Sequence, residues 1–372
     1  MKLLFAGDVI LQHDKLDISE AVDVNTFDYR VVNFEAPCRR EGDKKAIKVG
    51  PNLCQSEAAL GAVCEVGFNV AALANNHMMD YGLEAAMYTA DLFRSRSVLT
   101  CGLGRNRVEA MRPLLLEKGG EKIAILNLAE GQFGAIRRDE DSGYAWIMDE
   151  MSTGGVHTLA NRGYKVIVFA HAGLEDMPHP LPEWQAVYHR FIDAGAYFVV
   201  ATHPHIAQGW ELYRGRRIYY SLGNCAFDRE INDEESRKQW HRGLMLTVDT
   251  ASDAFDIIPT VYKNGKVFRE EASDFHDYLE KCCQVIERPM ELARQADMTA
   301  AKCWQAFYRD YYLMSFPLGK KDILRFLWQK IRRQKITRSV NELMFYHNVL
   351  IETHRWVVMR YLTCQKVEEW DK

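Results

Sequence analysis

The chain reads as an α/β protein built on largely parallel sheets. Short apolar runs recur through its first 230 residues with helical patterns between them, and the runs are apolar at every position rather than at alternate ones. Each run ends abruptly in polar residues able to bind a metal. Unbroken β-branched and aromatic runs mark strands buried on both faces, and strands alternating with helices mark α/β architecture. Ligand sites in such sheets gather beyond the carboxyl ends of the strands. The polar endings are therefore predicted to converge.

The elements follow in order. Leu3-Leu4-Phe5-Ala6-Gly7 ends in Asp8, and Val31-Val32-Asn33-Phe34 ends in Glu35. Glu57 to Val66, closed by Gly67, has a helical pattern. Val70-Ala71-Ala72-Leu73-Ala74 then leads into Asn75-Asn76-His77, and a second helix is expected from Leu83 to Phe93 after Gly82. Gly102-Leu103-Gly104-Arg105-Asn106 reads as a turn, because it lacks both the third glycine of a dinucleotide loop and a Gly-Lys-Ser/Thr. Val166-Ile167-Val168-Phe169-Ala170 ends in His171. Pro182 opens a helix with Trp184, Val187, Tyr188, Phe191 and Ile192 on one face, and Gly195 suits its end. Two more strands are expected, Tyr197 to Ala201 before Thr202-His203-Pro204-His205, and Ile218 through Leu222 to Asn224. Lys263-Asn264-Gly265-Lys266 reads as a hairpin turn, and from about Asp274 the pattern is helical, broken at Pro289 and Pro317. Two domains follow from this, residues 1–265 and a helical C-terminal region, residues 266–372.

Composition narrows the function. At 372 residues, with 48% hydrophobic and 26% charged residues, the chain is neither disordered nor a coiled coil. Lys+Arg number 47 against 51 Asp+Glu, so no nucleic-acid partner is expected. The nine cysteines form no Cys-x-x-Cys pair, which predicts reduced thiols rather than a structural zinc site. Adjacent Cys282 and Cys283 are expected to point different ways on a helix. No run is long and apolar enough to span a membrane, and the N-terminus lacks the apolar core of a secretory signal. A cytoplasmic location is the expectation, either free or peripheral to the inner membrane face. Residues 318–338 carry eight Lys/Arg against the single Asp322, interleaved with Phe326 and Trp328. They are expected to form either a solvated helical face or a peripheral contact with anionic lipid.

The polar endings carry the chemistry. Asp8, Glu35, Asn76, His171, His203 and His205 are candidate metal ligands, with His77 beside them. Every donor is oxygen or nitrogen, a set that suits one or two divalent ions and favours Mn, Fe or Zn over Mg. His203-Pro204-His205, read as an extended pair, puts both rings on one side.

The blocks Gly7-Asp8, Asn33-Phe34-Glu35, Asn75-Asn76-His77-Met78-Met79-Asp80, His171-Ala172-Gly173-Leu174-Glu175, His203-Pro204-His205 and Ser221-Leu222-Gly223-Asn224-Cys225-Ala226-Phe227-Asp228 resemble, over about residues 1–265, the bacterial capsule-synthesis CapA family of the calcineurin-like metallophosphoesterase superfamily. The resemblance implies a four-layer α/β/β/α fold with a C-terminal helical subdomain. It implies Asp8, Glu35, Asn76, His171, His203 and His205 as metal ligands and His77 as general acid. Asn33, Asn75, Asp80, Glu175, Asn224 and Asp228 would support the ligands or face the substrate. Three positions depart from the superfamily pattern: Ile10 stands where the first motif usually has His, Ala172 where an aromatic is common, and Cys225 where Phe is usual. Two functions follow from the resemblance. One is a metal-dependent, phosphoesterase-like hydrolase of capsule or poly-γ-glutamate-type polymer biosynthesis. The other is a non-catalytic metal-containing accessory protein that binds an anionic polymer, phosphoester or capsule precursor.

Overall fold

The computed structural model describes residues 1–229, 233–309 and 340–370, so the basic stretch 318–338 lies outside the described residues. One compact unit comprises residues 1–46 and 52–292, and a second comprises 47–51 and 293–372. Elements of the first run in chain order β1 (Lys2–Ile10), β2 (Tyr29–Phe34), α1 (Glu57–Glu65), β3 (Val70–Ala72), α2 (Gly82–Ser95), β4 (Leu99–Cys101), β5 (Leu103–Gly104), α3 (Arg107–Ala110), β6 (Leu114–Lys118) and β7 (Glu121–Ala129). They continue with β8 (Gly143–Tyr144), α4 (Glu150–Asn161), β9 (Lys165–His171), α5 (Pro182–Asp193), β10 (Ala196–Thr202), β11 (Trp210–Tyr213) and β12 (Arg216–Tyr219). The unit closes with β13 (Asn224–Phe227), α6 (Glu234–Trp240), β14 (Arg242–Asp249), β15 (Ala254–Lys263), β16 (Lys266–Arg269) and α7 (Ser273–Ile286), so it continues beyond residue 265. Helix α8 (Pro289–Cys303) begins within it. From residue 293 on, the described residues of the second unit are helical, with a π-helical turn over Trp304–Tyr308 followed by α9 (Val340–Leu350) and α10 (Glu352–Trp370). No helix among the described residues is long and apolar enough to cross a membrane.

Two mixed sheets make the middle of the first unit. One has the order β16-β15-β14-β1-β2-β3-β4, with β13 also paired to β1; the other has the order β11-β12-β10-β9-β7-β6. β1 to β4 are mutually parallel, as are β7, β9, β10 and β12. Their carboxyl ends therefore share a direction within each sheet. β1 shows why the apolar runs are unbroken. Leu4 and Ala6 pack into a core with α1 and α2 residues such as Leu60, Ala86 and Phe93, whereas Leu3 and Phe5 face the second sheet. There Phe5 meets Phe169 and Phe198 edge-to-face, with ring centroids 5.8 and 5.6 Å apart. Each such pair adds about 0.5–1.5 kcal/mol beyond area burial. Helices α4 and α5 cover the outer face of the second sheet and bury Val156, Leu159, Trp184, Tyr188 and Phe191. The result is the four-layer α/β/β/α stack.

One local expectation needs correction. The run from Ile218 to Asn224 is not one strand: β12 ends at Tyr219 in the second sheet and β13 begins at Asn224 in the first. Ser221-Leu222-Gly223 carries the chain between sheets, with Gly223 at φ 66°. The Asn264-Gly265 turn is as expected, with positive φ at both residues joining β15 to β16.

Gly7 is the other fixed point. The β1–β2 register shifts between Ala6 and Asp8, so Gly7 is the extra residue of a bulge. Bulges of this kind re-aim the side chain that follows. A Cβ on Gly7 would lie 1.9 Å from the Gly223 carbonyl oxygen, whose position is fixed by the Asp8 N–H at 3.1 Å. We expect Gly7→Ala to lower stability by about 3 kcal/mol, because backbone rather than a movable side chain blocks the methyl. Gly61→Ala within α1 meets no atom within 4 Å. It should be neutral or stabilising by up to about 1 kcal/mol. Paired denaturant melts check both.

Candidate metal centre

The strand endings do converge. Asp8 is fully buried, and its two carboxylate oxygens face different histidines: Oδ1 is 3.6 Å from His171 Nδ1 and Oδ2 is 3.4 Å from His205 Nδ1. Asn33 Nδ2 donates to Oδ1 at 2.7 Å, and the His203 N–H donates to Oδ2 at 3.1 Å. The same Asn33 amide donates to Glu35 Oε2. Asn75 accepts the N–H groups of His77 and Met78 on its side-chain oxygen, at 3.2 and 2.8 Å. This Asx-type turn is the reason for the paired asparagines, since it sets Asn76 and His77 just past β3. Asn75 also donates to Asn33 Oδ1 and to the Phe34 carbonyl.

His171 stands at the centre. Its Nε2 is 3.0 Å from Asn76 Oδ1, 3.0 Å from His203 Nδ1 and 3.3 Å from Glu35 Oε1. One ring nitrogen makes one hydrogen bond, so three partners exceed what it can satisfy. Glu35 Oε1 is in fact buried with no hydrogen bond. Donors held about 2.1 Å from a shared ion stand about 3 Å from one another, which is the spacing of His171 Nε2 from each of these three atoms. The residues fit a divalent cation. A second donor group, Glu175, His203 and His205, has ligand atoms within 4.8 Å of one another, with His205 close to Asp8.

His203 and His205 are not the extended pair expected from spacing. Both have positive φ, 102° and 61°, and their rings diverge, with centroids 6.0 Å apart. His203 turns to His171, while His205 turns to Asn224 Oδ1 at 3.0 Å and packs on Trp240 and Phe227. Asn224 in turn donates to the Trp240 carbonyl. Asp80 accepts from His77 Nδ1 at 2.7 Å and from the Leu53 N–H. Glu175 is exposed at the rim. Asp228 has different partners: the Gln12 N–H, His13 Nε2 at 3.2 Å and the Tyr262 hydroxyl at 2.7 Å. Ile10 lies in an apolar cluster with Ala36, Phe227 and Trp240, Ala172 is buried, and burial pushes the Cys225 thiol up to about 12.

One residue escaped the sequence reading. Glu130, 1% exposed, has Oε1 3.2 Å from His203 Nε2, and Gln132 Nε2 donates to that oxygen at 2.6 Å. It ends the apolar run Ile123 to Ala129 just as His171 ends its neighbour, so the signal was present.

The buried carboxylates and imidazoles shift one another. Burial alone would lower the two histidines, but the charges of Glu35 and Asp8 prevail and raise His171 to about 10, and Asp8 chiefly raises His205 to about 9. Burial would likewise raise Asp8, yet His171 and His205 hold its carboxyl far below the usual range.

A family model described as bacterial capsule synthesis protein PGA_cap matches residues 2–229. Capsule biosynthesis protein CapA of Bacillus anthracis is 30% identical over 248 residues, covering 64% of this chain and 59% of its own. PGA biosynthesis protein CapA of Bacillus subtilis (strain 168) is 28% identical over 204 residues, 54% of each chain. The chain thus spans little more than half the length of these relatives. Among solved structures, the NAD nucleotidase of Haemophilus influenzae is 13% identical with a TM-score of 0.36, over 75% of this chain and 61% of that one.

Two outcomes test the centre. Glu130→Ala should weaken Mn²⁺ or Zn²⁺ binding about 10–100-fold by titration calorimetry, and Glu130→Gln, which keeps an acceptor, should weaken it less. The pH dependence follows from raised histidines: their stabilisation is complete below about 6.5 and is lost as pH climbs through about 9 to 10. Chelator-treated protein should therefore melt at progressively lower temperature over that upper window, and the trend should flatten in His205→Asn.

Proposed function

Since the chain belongs to the bacterial capsule synthesis protein family, we propose that it is a metal-dependent, phosphoesterase-like hydrolase serving the synthesis of a capsule or poly-γ-glutamate-type polymer. The observation that carries this reading is the crowding around His171 Nε2, where three donors stand at 3.0–3.3 Å and one carboxylate oxygen has no hydrogen bond. Glu35, Asn76, His171 and His203 would hold one ion, and Asp8 and His205, with Glu175 at the rim, would hold a second. The all-oxygen-and-nitrogen set favours Mn, Fe or Zn over Mg. An ion so held lowers the pKa of water toward neutrality and stabilises charge on a phosphoryl oxygen.

The chain's own residues do the rest. Asn33 bridges Asp8 and Glu35 by hydrogen bonds, which fixes both carboxylates with their remaining oxygens turned inward. Glu130 orients His203 through Nε2, the ring nitrogen not turned to His171, Thr202 holds His171 by Nδ1, and Asn224 steadies His205. Asp80 holds His77 by Nδ1, so Nε2 is the atom that carries a proton to a leaving group. His77 is 8% exposed, at the boundary between the buried donors and solvent, where substrate must arrive.

One observation favours a second reading, a metal-containing accessory protein that binds an anionic chain without turnover. Ile10 replaces an imidazole at the first motif and packs into an apolar cluster, which leaves the Asp8–His205 side with fewer donors. A single assay divides the two. Protein reconstituted with Mn²⁺ should hydrolyse an aryl phosphate, and chelation or His203→Ala should abolish it. His77→Asn should retain its metal and lose about 10²–10⁴-fold in turnover. Stoichiometric metal with no hydrolysis would establish the accessory role instead.

A further inference from the structure

The segment between Glu35 and Asp80's backbone partner Ala46 carries Arg39, Arg40, Lys44 and Lys45, all exposed, in a chain of net charge −4. Both ends of this loop are fastened to the candidate centre. It begins four residues after Glu35, and it closes where the Ala46 N–H donates to the Asp80 carbonyl at 2.8 Å. Asn52 Nδ2 reinforces the closure by donating to the carbonyls of both Asp80 and Ala46. The Asp80 carboxylate is the group that holds His77. The cations are therefore tied to the general-acid side of the site.

Their arrangement is also ordered. Gly42, at φ 93°, turns the loop, and Asp43 accepts the Arg40 N–H at 2.7 Å across that turn. The Arg39 guanidinium lies 5.4 Å from the Tyr81 ring centroid, and that of Arg40 lies 5.3 Å from Tyr88. Tyr81 precedes α2 and Tyr88 lies within it, so the two guanidinium groups pack on different rings. Glu41 and Asp43 oppose these charges, but Asp43 is engaged with Arg40, whose side chain remains 45% exposed. Lys44 and Lys45 follow after the Gly42 turn, so the four cations are strung along the loop. They match anionic groups repeated along an extended chain.

We propose that residues 39–45 form a docking rail for an extended polycarboxylate chain and present it to the His77 side of the metal centre. The proposal rests on the reading that the centre serves an anionic capsule-type polymer, and it adds where that polymer is held. Single-stranded nucleic acid is the poorer match, because it binds through exposed aromatic platforms, and here the Tyr81 and Tyr88 faces are covered by the two arginines.

The test uses the full metal-loaded chain and fluorescently labelled decaglutamate, read by anisotropy at low and high salt. Wild type should bind, with affinity falling as salt rises. The triple variant Arg39→Gln, Lys44→Gln, Lys45→Gln should lose about tenfold or more in affinity, with its melting temperature and metal content unchanged. Arg39→Lys, which keeps the charge, should bind nearly as wild type. Unchanged binding by the triple variant would overturn the proposal, as would an RNA decamer bound equally tightly through the same residues. Metal content is measured separately, so a wild type that holds no metal would sink the proposed function while this binding result stayed readable.

Discussion

The contact on which the site depends is the approach of the β1 backbone to the segment that joins the two sheets. With no side chain at Gly7, the Gly223 carbonyl can reach the Asp8 N–H, and β1 can pair on one side with β2 and on the other with β13. That one closure places a carboxylate from the first sheet between His171 and His205, which the second sheet supplies. Neither sheet contains the site. It exists only where their carboxyl ends meet, which explains why its members are spread from residue 8 to residue 205.

Electrostatics then make the placement tolerable. Two buried carboxylates within reach of the same imidazole would be costly if left uncompensated. Here Asp8 and Glu35 raise His171 and His205, which in turn hold Asp8 in its charged form, so the buried groups offset part of one another's cost. The same balance accounts for Ile10. On the Asp8–His205 side an apolar wall adds no further charge and keeps Trp240 packed against the His205 ring.

Much of this was legible in the sequence because buried parallel strands leave an unbroken apolar signature, and because the polar residue ending each run is a sharp break. Helices α1, α2 and α5 fall within a residue or two of their expected limits, since Gly and Pro mark their ends. What was not legible depended on tertiary context. The run from Ile218 to Asn224 has the composition of a strand, and nothing local reveals that it changes sheets at Gly223. The rings of His203 and His205 follow from two positive-φ residues, a conformation that residue spacing cannot announce. Glu130 was missed although it ends a run like the others, because a glutamate in Ala129-Glu130-Gly131 reads equally well as a turn. Its role becomes visible only when β7 pairs with β9 and brings it to His203.

The remaining logic is a gradient of burial. Asp8, Glu35 and His171 are sealed, and their strengths come from a dry setting in which each charge is strongly felt. His77, at 8% exposed, is less deeply buried than these, and its partner Asp80 is also the point at which the basic loop is fastened. A long anionic chain cannot enter the sealed cluster, and it does not need to. In the proposed reading it would lie along exposed cations whose anchorage ends at Asp80, beside His77. Recognition and chemistry would then be divided between surface and interior and joined through Asp80. A change in the loop should therefore alter how long a chain is held, while a change beneath it alters what can happen to a bond once it is there.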